Sequence, residues 1–245
     1  MRNSAARHSW SFAVLILICC ETLAQTTTLQ VPQEVKKAAN IPSGINDSFL
    51  DPEMNVEEFI KRFEIESREV FACRDQILKA IQLEPGMSVA DVGSGTGLYL
   101  GALSKSVGSE GKVFAVDISP NFIKHLRKRA QDEGLANVEV VLCSDREVNL
   151  KPDSLDRVFI CDVYHHFEYP QSSMASIYSA LKKGGQLIVV DFERIEGKSR
   201  EWLIGHIRAP KEVFQKEIVD AGFKFESEVN VDGFEENYLL RFTKM

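Results

Sequence analysis

The sequence predicts an α/β protein: a doubly wound, mostly parallel sheet of seven strands, with helices on both faces and an antiparallel last strand. Three observations predict it. From residue 87 onward, short apolar runs alternate with stretches of helical periodicity, the pattern of parallel strands joined by crossover helices. The stretch Asp91-Val-Gly-Ser-Gly-Thr-Gly97 ends the first apolar run in glycines at alternate positions, just before a helical pattern. Near the end, Phe223 and Phe225 alternate, as do Tyr238, Leu240 and Phe242, on either side of a loop containing Asp232-Gly233. That arrangement reads as an antiparallel pair.

The elements follow in order. Residues 1–24 resemble a secretory signal peptide: Arg2 and Arg7 precede the apolar run 12–20, and Thr22-Leu-Ala24 offers small residues at a cleavage spacing. The run is too short for a spanning helix, so no stable membrane span is expected. Export is the corresponding localisation, and a cytoplasmic one follows if the start codon is misassigned. Residues 25–51 are polar, with Pro32, Pro42 and Gly44, and read as a flexible linker. Residues 52–86 read as an N-terminal helical cover of two helices, the first opened by a capping-box pattern, Asn55 with Glu58. Arg68 and Arg74 on this cover could reach an anionic group or simply be solvated.

Residues 87–245 form the main domain. Its first strand, 88–92, is nearly all apolar, as a strand covered on both faces should be, and its helix is expected over 96–107. Strand two is 112–117, and Ser119-Pro120 opens the next helix with proline at its first turn. Strands follow at 138–142, 156–161 and 186–192, the last after a helix closed by Gly184-Gly185. A helix carrying Val213, Phe214 and Ile218 stops at Gly222.

Composition sets bounds. The 245 residues carry 44% apolar side chains, enough for one sizeable core. A net charge of −7, from 29 basic and 36 acidic side chains, argues against a nucleic-acid partner, which needs a basic footprint. Cys73, Cys143 and Cys161 have no metal-like spacing and read as buried, reduced core residues.

Where the site lies follows from topology. Ligands in an open α/β sheet bind beyond the carboxyl ends of the strands, near the switch in strand order. That rule gathers Gly93 to Gly97, Asp117, Asp145 and the segment Asp162 to His166 around one crevice. Asp117 ends strand two, where a carboxylate can accept from both hydroxyls of a ribose. The dinucleotide fingerprint G-x-G-x-x-G fits poorly, because its third position is Leu98 and Gly97 comes one residue early.

The glycine stretch resembles the first motif of the class I S-adenosylmethionine-dependent methyltransferases. The resemblance continues through Val113-Phe-Ala-Val-Asp117, Cys143-Ser-Asp145, Val158-Phe-Ile-Cys-Asp162 and Leu181-Lys-Lys-Gly-Gly185, and covers roughly residues 56–245. It implies a Rossmann-like fold, S-adenosyl-L-methionine as cofactor, and direct displacement at its sulfonium methyl group onto a small-molecule acceptor. The cofactor-binding set it implies is Asp91, Gly93, Ser94, Gly95, Thr96, Gly97, Asp117, Ile118, Ser144, Asp145 and Asp162. In the family an acid at Asp91 works near the methionine amino group, and one at Asp145 accepts from the adenine amino group. Either could instead be a structural turn residue.

His165 and His166 follow strand four, where the family places catalytic or acceptor-facing residues, and are the candidate base or acceptor-orienting groups. The other reading has one packed beneath the cofactor and one capping the loop. Trp202, His206 and Arg208 fall in a region that often lines the acceptor pocket, although Trp202 could equally close the core. Catechol-type O-methyltransferases hold magnesium on carboxylates at such strand ends, but a site on Asp162 and Asp191 would lack the asparagine those enzymes carry next, because Phe192 stands there, so no metal is assigned. The runner-up functions are an NAD(P)-dependent oxidoreductase and a non-catalytic exported ligand-binding module. Oligomeric state is not legible.

Overall fold

The computed structural model describes residues 36–245. The expected signal peptide, 1–24, and the first part of the expected linker lie outside the described residues. A seven-stranded sheet has the order β3-β2-β1-β4-β5-β7-β6. Its strands are β1 (Ser88–Val92), β2 (Lys112–Asp117), β3 (Val138–Leu142), β4 (Leu155–Cys161), β5 (Leu181–Phe192), β6 (Phe223–Glu228) and β7 (Asn237–Lys244). β1 pairs in parallel with β2 and β4, and β7 runs antiparallel to both β5 and β6. The strand order reverses between β1 and β4, so a crevice opens over their carboxyl ends.

Alternation along the strands makes two cores, one per face. Ala90, Val158, Leu187, Val189 and Leu240 pack on one side. Val89, Val113, Phe159, Ile188 and Val190 pack on the other. The helices are α1 (Asp47–Leu50), α2 (Val56–Phe63), α3 (Glu69–Ala72), α4 (Arg74–Ile81), α5 (Leu100–Val107), α6 (Pro120–Asp132), α7 (Pro170–Ala180), α8 (Glu201–His206) and α9 (Lys211–Asp220). The face of α4 and α5 holds Ile77, Ile81, Leu100 and Leu103, and the face of α7 and α9 holds Met174, Ile177, Phe214 and Ile218. Among the described residues, no helix is long and apolar enough to cross a membrane.

Four details differ from the sequence reading. The helix after β1 begins at Leu100 rather than near residue 96, because Gly97 has φ +81°, which a helix cannot contain. β5 begins at Leu181, which pairs with Leu155 before a bulge restores the ladder at Gln186. The helical cover has three helices, α2 to α4, and Asn55 caps α2 by accepting from the Glu57 N–H while Glu58 reaches its side chain rather than its backbone.

The fourth difference bears on the site. The described part of the expected linker is not a free tether but lies against the domain. The Ala38 N–H donates to the Glu168 carbonyl, Ile45 is buried, and Asn46 on the doorstep of α1 bonds His166. Its few apolar side chains, Ile45 and Phe49, suffice because Phe49 meets Phe59, Phe122 and His166 as an aromatic cluster.

Ile188 is fully buried at the centre of β5. Ile188→Ala should destabilise the fold by about 2–5 kcal/mol in a denaturant titration, through lost burial and the cavity left behind.

Candidate active site

A cavity of about 680 Å³ opens over the carboxyl ends of β1, β2 and β4. One wall is the turn after β1. Gly93, Gly95 and Gly97 all adopt left-handed φ, at +77°, +53° and +81°. At Gly93 a Cβ would stand 2.5 Å from both methyl carbons of Val163, so only glycine lets the turn pass under the loop after β4. At Gly95 the nearest atom to such a Cβ is a backbone oxygen 3.9 Å away, so the need there is conformational alone.

The turn's own donors are largely spent inside the protein. The N–H groups of Gly93 and Ser94 both donate to the Val116 carbonyl, and that of Gly97 donates to the Ser94 carbonyl. The Gly95 N–H donates to Asp117 Oδ2 at 2.8 Å, while the Ser119 N–H donates to Asp117 Oδ1 at 2.8 Å. The turn is therefore a shaped surface with a carboxylate clasp, rather than a row of amides open to phosphate oxygens.

Four carboxylates converge on the strand tips, Asp91, Asp117 and Asp191 buried and Asp162 partly so. Burial pushes the Asp91 and Asp117 carboxyls up to about 6, against the hydrogen bonds each accepts. Asp91 accepts from Ser94 Oγ at 2.6 Å. Asp162 and Asp191 are pushed up to about 7 by the same cause. Asp162 sits at φ +52°, an angle acids tolerate better than most residues, and accepts from Arg68 and from Asn237 Nδ2 at 2.8 Å. Asn237 is itself placed by Glu69, whose carboxylate accepts from the backbone N–H groups of Glu236 and Asn237.

The opposite wall is aromatic and imidazole. His165, on the 3-10 turn Tyr164–His166, is buried, with Nδ1 2.7 Å from Asp191 Oδ1 and its backbone N–H donating to Asp191 Oδ2 at 3.1 Å. Burial pushes the His165 imidazole well below its usual range, and the tautomer that carries its proton on Nδ1 donates to the carboxylate. His166 Nδ1 lies 3.2 Å from Asn46 Oδ1, and burial drives its titration down to about 2. His206 stands within 5.2 Å, centroid to centroid, of both rings and stacks on Trp202 at 4.8 Å.

Most residues singled out from the sequence meet at this cavity. Asp91, Gly93, Ser94, Gly95 and Thr96 line it from the first turn, Asp117 and Ile118 from β2, and Ser144 and Asp145 from the exposed turn after β3. Asp162, His165 and His166 complete that set. Gly97 does not reach the cavity: its α-carbon faces α6, where a Cβ would stand 2.9 Å from Leu126. Arg208 also turns away, buried over Phe214 and paired through both terminal nitrogens with Glu217 of α9. Trp202 does not close the core; it is 54% exposed at the cavity rim. Asp162 and Asp191 each accept from protein donors. Cys143 and Cys161 are half-buried rather than core residues, and Cys73 is buried.

Sequence reasoning missed Asn46 and Asn237, which orient a cavity-lining imidazole and carboxylate. Neither belongs to a motif. Only the apolar pair Ile45 and Phe49 hinted that residues near 46 were docked.

A doubly wound sheet with a left-handed glycine turn and a strand-end carboxylate at its switch point defines a nucleoside-type ligand-binding α/β domain. The chain belongs to the methyltransferase-domain family, whose model matches residues 83–242. It is 30% identical over 113 residues to a ubiquinone/menaquinone biosynthesis C-methyltransferase of Bordetella parapertussis, a match covering 46% of this chain and 43% of that protein. The chain thus spans under half the length of the curated relatives it matches. Among solved structures, a SAM-dependent methyltransferase from Aquifex aeolicus shares the fold with a TM-score of 0.68 at 24% identity, over 79% of this chain and 100% of that one. Geranyl diphosphate methyltransferase in complex with SAM does so with a TM-score of 0.61 at 13% identity, over 82% and 95%.

The two glycines separate strain from collision. Gly95→Ala should cost about 1–2 kcal/mol of stability for its left-handed backbone. Gly93→Ala should cost more, since the clash with Val163 adds to the same strain. Urea unfolding of the two variants side by side checks the order, and a Gly93→Ala protein as stable as Gly95→Ala contradicts it.

Proposed function

We propose that the chain is an S-adenosyl-L-methionine-dependent methyltransferase acting on a small-molecule acceptor. The observation that carries this reading is the joint placement of Asp91, Asp117 and the Gly93 turn around one cavity. Asp117 has both oxygens fixed by backbone donors yet keeps lone pairs for two ribose hydroxyls. Asp91, buried beside the turn, suits an ammonium or sulfonium group and would repel a pyrophosphate. The spent N–H groups of the turn point the same way, away from a dinucleotide. Arg68 lines the cavity beside Asp162 and supplies a cation for the ligand's carboxylate. Ser144, Asp145 and Ile118 frame the end where a base would lie. Family membership and the names of the relatives support the same reading.

When bound, the cofactor supplies an electrophilic methyl group. The chain's part is positioning, which can contribute several kcal/mol to such a transfer. Asp191 locks His165 with its Nδ1 protonated, leaving Nε2 as a lone pair for an acceptor's proton. Trp202, Phe192 and Phe49 add apolar surface around that imidazole wall, which fits an acceptor with an apolar body and a hydroxyl or similar head. Nothing in the geometry favours the oxidoreductase or the non-catalytic module.

Thermal unfolding with S-adenosylmethionine, S-adenosylhomocysteine and NAD tests the reading. The first two should stabilise the protein, by about 2.7 kcal/mol at a hundredfold excess over Kd, and NAD should not. Stabilisation by NAD alone overturns it.

A pH dependence follows from Asp91 and Asp117. Both carboxyls sit near 6 in the free protein, and a cationic ligand favours the ionised form. Affinity for S-adenosylmethionine should therefore be flat above that value and weaken below it, by about tenfold per pH unit for each carboxyl that must ionise. Calorimetric titrations from mildly acidic to neutral pH read the profile. Asp91→Asn should flatten its Asp91 share, and an unchanged profile in that variant removes Asp91 from the ligand's cationic end.

A further inference from the structure

The histidine wall has more order than a single base needs. One ring nitrogen from each of His165, His166 and His206 lies within 4.8 Å of the others. Two elements bring them together: the 3-10 turn after β4 supplies two, and the end of α8 supplies the third. Each of the first two has its tautomer fixed by a partner outside the cluster. Asp191 takes the His165 Nδ1–H at 2.7 Å. Asn46 donates through Nδ2 to the His166 carbonyl and to Glu168, which turns its Oδ1 toward His166 Nδ1. That nitrogen must then carry the proton, and Nε2 of both rings is left with a free lone pair.

This is the arrangement a metal-binding imidazole shows: one nitrogen to the cation, the other to a carboxylate or carbonyl that fixes the ring. Three imidazoles drawn from two separate segments meet on one wall of the cavity, two of them with an outside partner on Nδ1. A charged group nearby would argue against a cation. Arg208 is turned to Glu217, and Arg62, whose charge reaches His206, lies over the rings of Phe59 and Phe63. Arg68 is paired with Asp162.

We infer that His165, His166 and His206 form a site for a divalent transition metal of the zinc class, with its remaining position open to the cavity. Nitrogen donors select such ions over magnesium or calcium, and three protein ligands with one open position is the pattern of reactive rather than structural zinc. The Asp191 carboxylate offsets part of the cation's charge through His165. An acceptor hydroxyl taking the open position would lose its proton to solvent and stay on the cation as the oxyanion, ready to receive a methyl group. In that form His165 is a ligand rather than the base. Binding of the metal stands on the three imidazoles alone; only its use rests on the methyltransferase reading.

The test uses the full chain, stripped with a chelator and dialysed. Zinc is titrated against a chromophoric competitor, and cobalt is titrated with visible absorption as the readout. The expected result is one equivalent bound, with cobalt bands of four- or five-coordinate geometry. Asn46→Ala should weaken binding by about 10- to 100-fold, as loss of an outer partner does, and His206→Ala by more. His206→Cys should add a sulfur-to-cobalt charge-transfer band that the parent lacks, despite its own cysteines. Thermal stabilisation by S-adenosylhomocysteine, measured on every variant, confirms folding and tests the cofactor reading separately. Zinc binding equal in the parent and in His206→Ala, or no stoichiometric binding by the parent, overturns the site. Stoichiometric zinc with no response to S-adenosylhomocysteine would keep the site and remove the proposed use.

Discussion

One buried carboxylate holds the crevice together. Asp117 ends β2, and its two oxygens accept from Gly95 in the first turn and from Ser119 at the head of α6. Both donors are backbone groups, so the contact fixes chain paths rather than side chains. It sets the glycine turn against the neighbouring strand tip and sets the angle at which α6 leaves the sheet. Ser119 then caps α6 through its own hydroxyl, with Pro120 in the first turn. The clasp joins the bonds from the Gly93 and Ser94 N–H groups to the Val116 carbonyl in holding three left-handed residues in five. Its cost is a desolvated acid, whose carboxyl burial pushes up to about 6.

The same economy recurs across the cavity. Asp91 and Asp191 are also buried at strand tips, Asp162 partly so, and each is held by protein donors. Buried acids this close would repel one another if all ionised without compensation. The protein answers differently at each: a hydroxyl for Asp91, a guanidinium and an amide for Asp162, an imidazole and two backbone N–H groups for Asp191. Only the first of these sits next to the glycine turn. The others organise the cover and the histidine wall.

The cover is bound into this network. Arg68 comes from the loop before α3, Glu69 from its first turn, and Tyr99 from the turn after β1 reaches back to the Val70 carbonyl at 2.6 Å. The segment around Asn46 closes the remaining side over Phe49 and His166. The mouth of the cavity is therefore framed by short helices and loops, of which α3 and α4 are anchored in the core through Val70, Ile77 and Ile81. The exposed Trp202 at the rim rests on His206 and Phe192, not on either core.

Periodicity alone made the sheet legible, because strands covered on both faces must be apolar and helices crossing them must be amphipathic. The glycine turn and the acids at strand tips were legible too, since glycine spacing and strand ends are local properties, and the switch-point rule places them without further knowledge. What the order of residues could not disclose is which side chains share a partner. Gly97 and Arg208 looked like site residues and face α6 and Glu217 instead, because orientation depends on packing between distant elements. Asn46 and His206 belong to segments 120 and 40 residues from His166, and nothing local marks them as its neighbours. A contact between such segments is decided when the whole chain closes its core, and only the tertiary structure records it.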